Sequence, residues 1–93
     1  AIAFVSAGTG AEAASGNIAP TFPATVNADD IAIIVWGSDD NVAASLPGSW
    51  VVADQGNANF THGGWGWLRC TGTEDSSSVT ITHSAGGGIA GRI

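Results

Sequence analysis

Sulfur and imidazole groups are the most reactive side chains in this sequence, and they belong to Cys70, His62 and His83. A structural zinc site takes four such ligands, usually grouped in closely spaced pairs, whereas these three lie singly along the chain. Cys70 falls on the same face of a predicted strand as Leu68, where a buried thiol behaves as a small hydrophobic group. We therefore expect an inert buried thiol, no zinc site and no Cys–His catalytic pair.

Carboxylates form two adjacent pairs, Asp29-Asp30 and Asp39-Asp40, and Asn41 follows the second pair. Because calcium prefers oxygen ligands, Asp39, Asp40 and Asn41 are the candidate calcium ligands. The alternative is a set of turns, since Asp and Asn side chains commonly bond to nearby backbone N–H groups. Neither pair precedes the alternating ligands of an EF-hand loop, and glycoside hydrolysis needs a cleft that a small domain rarely provides. The sequence favours turns, with no metal and no catalytic residue.

Two tryptophans offer a possible binding surface. Trp65 and Trp67 are two residues apart, so in a strand both side chains project from the same face. If that face is exposed, the pair and the nearby Asn59 could stack against the sugar rings of a host-surface glycan. If it is buried, the pair packs with Trp36 and Trp50, and a chain of this size needs large apolar residues in its core. The sequence favours the core and keeps carbohydrate binding as the alternative.

A glycine-rich run over residues 86–91 formally matches the dinucleotide-binding fingerprint. That fingerprint works by aiming the N-terminus of a following helix at a pyrophosphate. Only two residues follow Gly91 in this sequence, so no such helix is expected. We therefore expect no nucleotide site and no cofactor.

The elements that position these groups are predicted to be short β-strands almost throughout, because turn-forming residues interrupt any helical periodicity. The most distinct strand covers residues 31–36, which are apolar at consecutive positions, as expected when both faces are covered. Residues 64–71 place Trp65, Trp67 and Arg69 on one face and Gly66, Leu68 and Cys70 on the other, as in a half-buried strand. Residues 78–83 alternate in the same way, with Val79, Ile81 and His83 opposite two threonines. Shorter strands are predicted at residues 2–5, 21–25 and 50–53, a loop or one helical turn at residues 11–14, and a polar loop at residues 54–59.

Six or seven short strands indicate an all-β fold, a small antiparallel β-sandwich or jelly roll, in one domain over residues 1–93. The last segment, residues 89–93, looks like a strand that has just begun. Such a strand leaves unpaired backbone at a sheet edge, so Ile89, Arg92 and Ile93 are predicted to form an assembly edge. Either the native chain continues with closing strands or a neighbouring chain supplies them, and a frayed tail is the alternative.

Charge narrows the range of partners. The 93 residues carry two cations against eight acids, for a net charge of −6, and a single cysteine. Such a chain repels phosphate backbones and anionic membrane surfaces, so we expect neither nucleic acid nor a membrane as a partner. A single cysteine cannot form an intrachain disulfide, which leaves stability to the hydrophobic core.

Five segments follow one another in a recognisable order: Pro23, residues 30–34, residues 47–50, residues 65–67, and residues 73–75 leading into residues 79–82. This order resembles a β-sandwich module of bacteriophage tail, fibre and capsid-surface proteins. The module has a proline before a short polar segment, then Gly-Asp and an apolar strand, a Pro-x-Gly-Trp corner, an aromatic-rich strand, and an acidic or small-residue turn into a Thr/Ser-rich strand. This chain departs from it at Asp29, where the module usually has glycine, and at the corner, where the glycine lies one position earlier.

This resemblance implies a non-enzymatic structural protein on the virion surface, either as a capsid decoration or in association with the tail or fibre. It implies other virion proteins as partners. It also implies a homo-oligomer, a trimer or a larger array, because virion surface proteins commonly assemble symmetrically. The alternative function is a carbohydrate-binding module that uses Trp65 and Trp67.

Overall fold

A computed structural model describes residues 5–40, 42–58, 61–83 and 87–93. These residues form an all-β fold built on a five-stranded antiparallel sheet. Its strands are β1 (Ala11–Ala13), β2 (Ile31–Ser38), β3 (Val51–Ala58), β4 (Thr61–Arg69) and β5 (Ile89–Arg92). Within the described ranges there is no helix, and hence none long and apolar enough to cross a membrane.

β2 lies at the centre of the sheet, whose strand order is β1-β5-β2-β4-β3. β4 pairs with β2 along the whole length of β2, from Ile31 opposite Arg69 to Ser38 opposite His62. On its other side, β2 pairs with β5 from Val35 to Ser38. Residues directly opposite each other in an antiparallel pair share a face, so this register decides which side chains meet on each side of the sheet.

Burial alternates along β2, so the described residues cover only one face of the strand. Ile34 and Trp36 point to the inner face and are 0% and 6% exposed. Ile31, Ile33 and Val35 point to the outer face and are 57%, 53% and 50% exposed. The prediction that both faces are covered is therefore wrong for the single chain. The physical reason is that the hydrophobic core forms against the inner face alone.

Irregular segments cover the inner face of the sheet and bridge to one another. Their isolated antiparallel bridges join Ile18 to Ile81, Thr21 to Ser78, and Ser45 to Thr82. The buried core between these segments and the sheet consists of Ile18, Phe22, Val26, Ile34, Trp36, Ala44, Trp50, Cys70, Val79, Ile81 and Ile89. Much of the core therefore comes from residues outside the regular strands.

Two alternations predicted from the sequence are confirmed. In the first, Trp65, Trp67 and Arg69 are exposed, while Gly66 and Cys70 are buried. In residues 78–83 the odd-numbered positions are buried and the even-numbered positions are exposed. The second segment makes isolated bridges rather than a regular strand.

Three local predictions need correction. Residues 11–13 form β1 rather than a loop or helical turn, because β5 supplies a distant pairing partner. The polar loop predicted over residues 54–59 is part of β3 as far as Ala58, because pairing with β4 satisfies the backbone groups on one side of this edge strand. Residues 21–25 keep a bridge at Thr21 only, since flanking prolines remove ladder donors. The strand predicted at residues 2–5 lies outside the described residues except for Val5.

β5 is an internal strand, paired with β1 on one side and with β2 on the other. The predicted assembly edge at Ile89, Arg92 and Ile93 is therefore wrong. Ile89 is 2% exposed, and the carbonyl of Ile93 accepts a hydrogen bond from the N–H of Gly8 at 3.0 Å. The prediction failed because strand order depends on long-range pairing, which the local sequence does not reveal.

Candidate functional site

Among the described residues, the outer face of the sheet carries the main exposed apolar surface. Its large apolar side chains are Ile31 (57% exposed), Ile33 (53%), Val35 (50%), Val51 (45%), Trp65 (43%) and Trp67 (38%). We term these six residues the outer apolar face. Monomeric soluble proteins rarely expose large contiguous apolar patches, and those that do usually bind something there.

Cross-strand pairing makes these side chains contiguous. Val35 lies opposite Trp65, and Ile33 lies opposite Trp67. Trp67 has Val51 on its other side. Side chains that are directly opposite have Cβ atoms about 4.5–5.5 Å apart. The face is therefore one continuous apolar surface across β2, β4 and β3.

Glycines on the inner side of β4 explain why its tryptophans point outward. A Cβ atom on Gly64 would lie 2.6 Å from Cζ2 of Trp36, and one on Gly66 would lie 2.8 Å from Cδ1 of Leu46. The Trp36 ring and the Leu46 side chain can approach the strand because these positions lack side chains. The alternating Gly and Trp residues of β4 thus leave the large rings on the side away from the core.

The prediction that Trp65 and Trp67 join the other two tryptophans in the core is wrong. Trp36 and Trp50 are buried, and the Trp50 ring lies 5.9 Å from the ring of Phe22, centroid to centroid. The signal that separates the two pairs is the glycine at every second position of β4, which marks a close approach on the opposite face. Asn59, the predicted polar companion of the exposed pair, lies outside the described residues.

Both cations of the chain lie on the outer side of the sheet, at the margin of the apolar face. Arg92 of β5 lies opposite Val35, and its Nε donates a hydrogen bond to the carbonyl of Gly8 at 2.9 Å. Arg69 forms an ion pair with Asp29 at 2.8 Å, and both side chains are highly exposed. An ion pair this exposed contributes about 0–1 kcal/mol to stability. The arginines therefore matter more for what the face can bind than for the fold.

A β-bulge places an acid on the same face. The pairing of β3 with β4 shifts by one residue between Val52 and Asp54. Asp54 consequently lies opposite Trp65, on the outer face. Gln55 then faces inward, where its Oε1 lies 2.9 Å from Nε2 of His62. Without the bulge, the two-residue period of the strand would turn Asp54 inward.

Asp40, just after β2, joins segments that are distant in sequence. Its Oδ1 lies 3.0 Å from Nε2 of the buried His83, and its Oδ2 accepts the N–H of Gly87 at 3.0 Å. Partial burial raises the pKa of the Asp40 carboxyl, but hydrogen bonds from His83 and Gly87 outweigh it and hold the pKa below its usual value. The arrangement fastens His83 and Gly87, the residue two positions before β5, to the end of β2.

The calcium candidates Asp39 and Asp40 take part in this same set of contacts. The backbone N–H of Asp39 donates to the carbonyl of Gly88 at 3.0 Å, while Asp40 bonds as described above. Asn41 lies outside the described residues. Within the described ranges, no group of three or more His, Cys, Asp or Glu side chains could hold a metal ion. The structure therefore gives Asp39 and Asp40 a role in a turn.

Cys70 is buried, as predicted. Burial raises the pKa of its thiol, and the carboxylates of Glu74 and Asp30 raise it further, so the thiol is protonated and unreactive. Glu74 in turn accepts backbone hydrogen bonds from Thr71 and Gly72, each at 2.9 Å. These bonds hold the pKa of the Glu74 carboxyl below its usual value. This turn is closed by its own carboxylate.

Comparison of the chain with protein-family models, with curated proteins and with solved structures finds no match. The resemblance to phage modules therefore rests on the residue patterns alone. The function has to be argued from the geometry of the outer face and from the groups that surround it.

Proposed function

We propose that this protein is a non-enzymatic structural module of a bacteriophage particle, which binds other particle proteins through the outer apolar face. The observation that carries the proposal is the half-covered central strand. Consecutive apolar residues in β2 are typical of a strand buried on both faces, whereas this chain buries alternate residues only. Contact with another protein supplies the second cover.

We also propose that the fold is a small β-sandwich of the jelly-roll kind. Its support is the layer of bridged segments on the inner face of the sheet, which joins Ile18 to Ile81 and Ser45 to Thr82. Residues of this layer and of the sheet belong to one buried cluster. Two layers around one core are the general plan of such a domain, and a sandwich is what the resemblance to phage modules implies.

The titratable side chains support a structural role rather than a catalytic one. Asp40 and His83 bond to each other, and Glu74 bonds to the backbone of its own turn. A general acid or base must reach a proton of the substrate. The bonded atoms of Asp40, His83 and Glu74 hold protein groups, and the other ring nitrogen of His83, Nδ1, is buried. Cys70, the strongest potential nucleophile, is buried with a raised pKa.

The proposed location is the virion surface, as a capsid decoration or in association with the tail or fibre. The partners are other virion proteins, and the chain forms a homo-oligomer, a trimer or a larger array. A net charge of −6 with two cations disfavours nucleic acid and anionic membranes as partners. Apolar contact, not charge, supplies most of the affinity.

Sedimentation of the protein from its native source through a sucrose gradient tests this proposal. We expect it to travel with large particles, and to stay with them at about 1 M salt, because salt screens charge contacts but does not weaken apolar ones. Recovery in the light fractions alone would contradict the particle assignment.

A carbohydrate-binding module is the second candidate, and the exposure of Trp65 and Trp67 favours it. Both rings project from one face, with the carboxylate residue Asp54 opposite Trp65. Aromatic faces with a hydrogen-bond acceptor beside them suit sugar rings. A glycan array probed with wild type, Trp65→Ala and the neighbouring Val35→Ala separates the candidates. Binding that Trp65→Ala loses and Val35→Ala keeps would support the second; no binding by wild type would leave the first.

A further inference from the structure

The charged residues beside the outer apolar face are placed so that two copies of the face would complement each other. One row of side chains crosses four strands, in the order Arg92 on β5, Val35 on β2, Trp65 on β4 and Asp54 on β3. Each neighbouring pair in this row is directly opposite in register, so the four lie in line on the outer face. From end to end the row reads cation, apolar, apolar, anion.

We infer that two copies of the chain pack outer face against outer face, about a two-fold axis that runs parallel to the strands between β2 and β4. This axis exchanges the two halves of the row. It sets Val35 of one copy on Trp65 of the other, and Arg92 of one copy beside Asp54 of the other. The inference rests on the proposed function, since both assign this face to assembly, and it names a second copy of the chain as the particle protein that covers the face.

The spacing of the strands supports a single rotation that satisfies both contacts. Neighbouring strands are about 4.8 Å apart, so Arg92 and Asp54 each lie about 7 Å from the axis, on opposite sides. The rotation makes the Arg92–Asp54 contact twice, once at each margin of the interface. Packed sheets lie about 10 Å apart with strands aligned to within about 30°. The lengths of an arginine and an aspartate side chain together match that gap, and the terminal nitrogens of Arg92 lie beyond the Nε that bonds to Gly8.

The neighbouring rows of the face follow the same operation. The row of Ile33, Trp67 and Val51 is apolar throughout, and the axis sets Ile33 of one copy on Trp67 of the other. Arg69 lies opposite Ile31, so its aliphatic stem comes to cover Ile31 of the other copy. Five of the six residues of the outer apolar face thereby meet an apolar side chain or the stem of an arginine, and Val51 lies at the margin beyond the end of β5.

Asp54 and Arg92 are available for this contact. The described part of the chain holds two ion pairs, Arg69–Asp29 and His83–Asp40, and neither residue takes part in them. Arg92 is exposed and uses its Nε for a hydrogen bond to Gly8, which leaves its terminal nitrogens for a partner.

A second copy explains a feature that other occupants do not. A glycan or an unrelated protein would use the tryptophans, but neither requires opposite charges at equal distances from the middle of the face. Self-complementarity of this kind is the property of an isologous interface. The contact is two-fold and closes at a dimer, so a trimer or larger array needs a further contact elsewhere on the molecule.

Charge reversal in the purified full chain tests the inference, with sedimentation equilibrium over a range of concentrations as the measurement. We expect wild type to dimerise. Asp54→Arg alone and Arg92→Asp alone should each weaken the dimer by roughly tenfold or more, because both marginal contacts become repulsive. An equimolar mixture of the two variants makes both contacts attractive again, and its heterodimer should approach wild-type affinity to within about threefold.

Glu12→Arg is the matched control. It makes the same change of charge on the outer side of β1, opposite Ala90 and outside the overlap of the two faces, and it should leave the dimer unchanged. Far-UV circular dichroism checks that each variant folds. If a reversed variant does not fold, Asp54→Asn and Arg92→Gln take its place, and each should weaken the dimer less than the reversal.

Three results would overturn the inference: a wild-type chain that stays monomeric up to about millimolar concentration, single variants that dimerise like wild type, or a mixture that shows no rescue. These outcomes are separable from a failure of the proposed function. A monomer that still sediments with particles removes the dimer and keeps the function. A dimer that responds to the charge reversals as expected but stays in the light fractions supports the interface and contradicts the particle assignment.

Discussion

The two faces of the sheet are formed by the same strands but have opposite surroundings. Ile34 is fully buried, while its neighbours Ile33 and Val35 are about half exposed. The difference arises because the buried core, which includes residues of several irregular segments, lies on one side of the sheet. An apolar strand residue thus identifies a surface that needs a cover, but it does not show that the same chain provides the cover.

The largest expected contrast is between two adjacent isoleucines of β2. Ile34→Ala should lower the free energy of unfolding by about 2–5 kcal/mol, because it leaves a cavity in the core. Ile33→Ala should cost about 1 kcal/mol or less, because Ile33 is 53% exposed in the single chain. Urea unfolding at low protein concentration measures both changes.

Protein concentration sharpens this contrast. Anything that binds only the folded chain adds stability by mass action, so the cost of Ile33→Ala should grow at high concentration while that of Ile34→Ala stays the same. Equal costs for the two substitutions at low concentration would mean that the outer face belongs to the core.

A smaller contrast separates two strand glycines. A Cβ on Gly64 would lie 2.6 Å from the Trp36 ring and 2.8 Å from the backbone oxygen of Asp54, whereas one on Gly37 meets nothing within 4 Å. Gly64→Ala should therefore cost about 1–3 kcal/mol through overpacking. Gly37→Ala should be neutral or slightly stabilising, because it restricts the unfolded chain. Thermal unfolding distinguishes them, and a harmless Gly64→Ala would contradict the close packing of the inner face.

The smallest expected effect concerns the turns that flank both faces. Asp40, despite partial burial, and Glu74 have folded-state pKa values below their ordinary ones, because hydrogen bonds favour the charged carboxylates. The unfolded chain therefore takes up protons at a higher pH than the folded chain does. The stability that these groups add is complete above the ordinary carboxyl pKa of about 4 and is lost as the pH falls through the folded-state values.

Urea midpoints between about pH 6 and pH 3 test this dependence. Wild type should lose stability as the solution becomes acidic, and Glu74→Gln should be less stable at neutral pH but less sensitive to acid. A variant that keeps the full acid sensitivity of wild type would show that the hydrogen bonds to Glu74 contribute little.

Local patterns predicted two of the main strands. The apolar run predicted β2, and the period of two predicted the faces of β4, with Trp65 and Trp67 on the same face. The error came in choosing which face is buried. Large residues were expected in the core, but much of the core is filled by Ile18, Phe22 and Val26 from irregular segments, which no periodicity reveals.

The positions of Arg92 and Asp54 beside the outer apolar face could not be predicted from the sequence. Arg92 reaches it because β5 inserts between β1 and β2, a pairing between segments far apart in the chain. Asp54 reaches it because of a bulge in β3, a local shift that reverses the facing of Asp54 and Gln55. Both positions depend on how strands pair, so the two-residue period of a strand does not by itself place either residue on the face.

The central claim is that the outer apolar face is a surface for protein contact and not a part of the fold. The most direct measurement is the mass in solution of wild type and of Ile33→Lys, by sedimentation equilibrium across a range of concentrations, with circular dichroism to show that both fold. The claim predicts that the wild-type mass rises toward twice that of the monomer with concentration, while Ile33→Lys folds and remains a monomer. An Ile33→Lys chain that associates as wild type does, or that fails to fold, would contradict it.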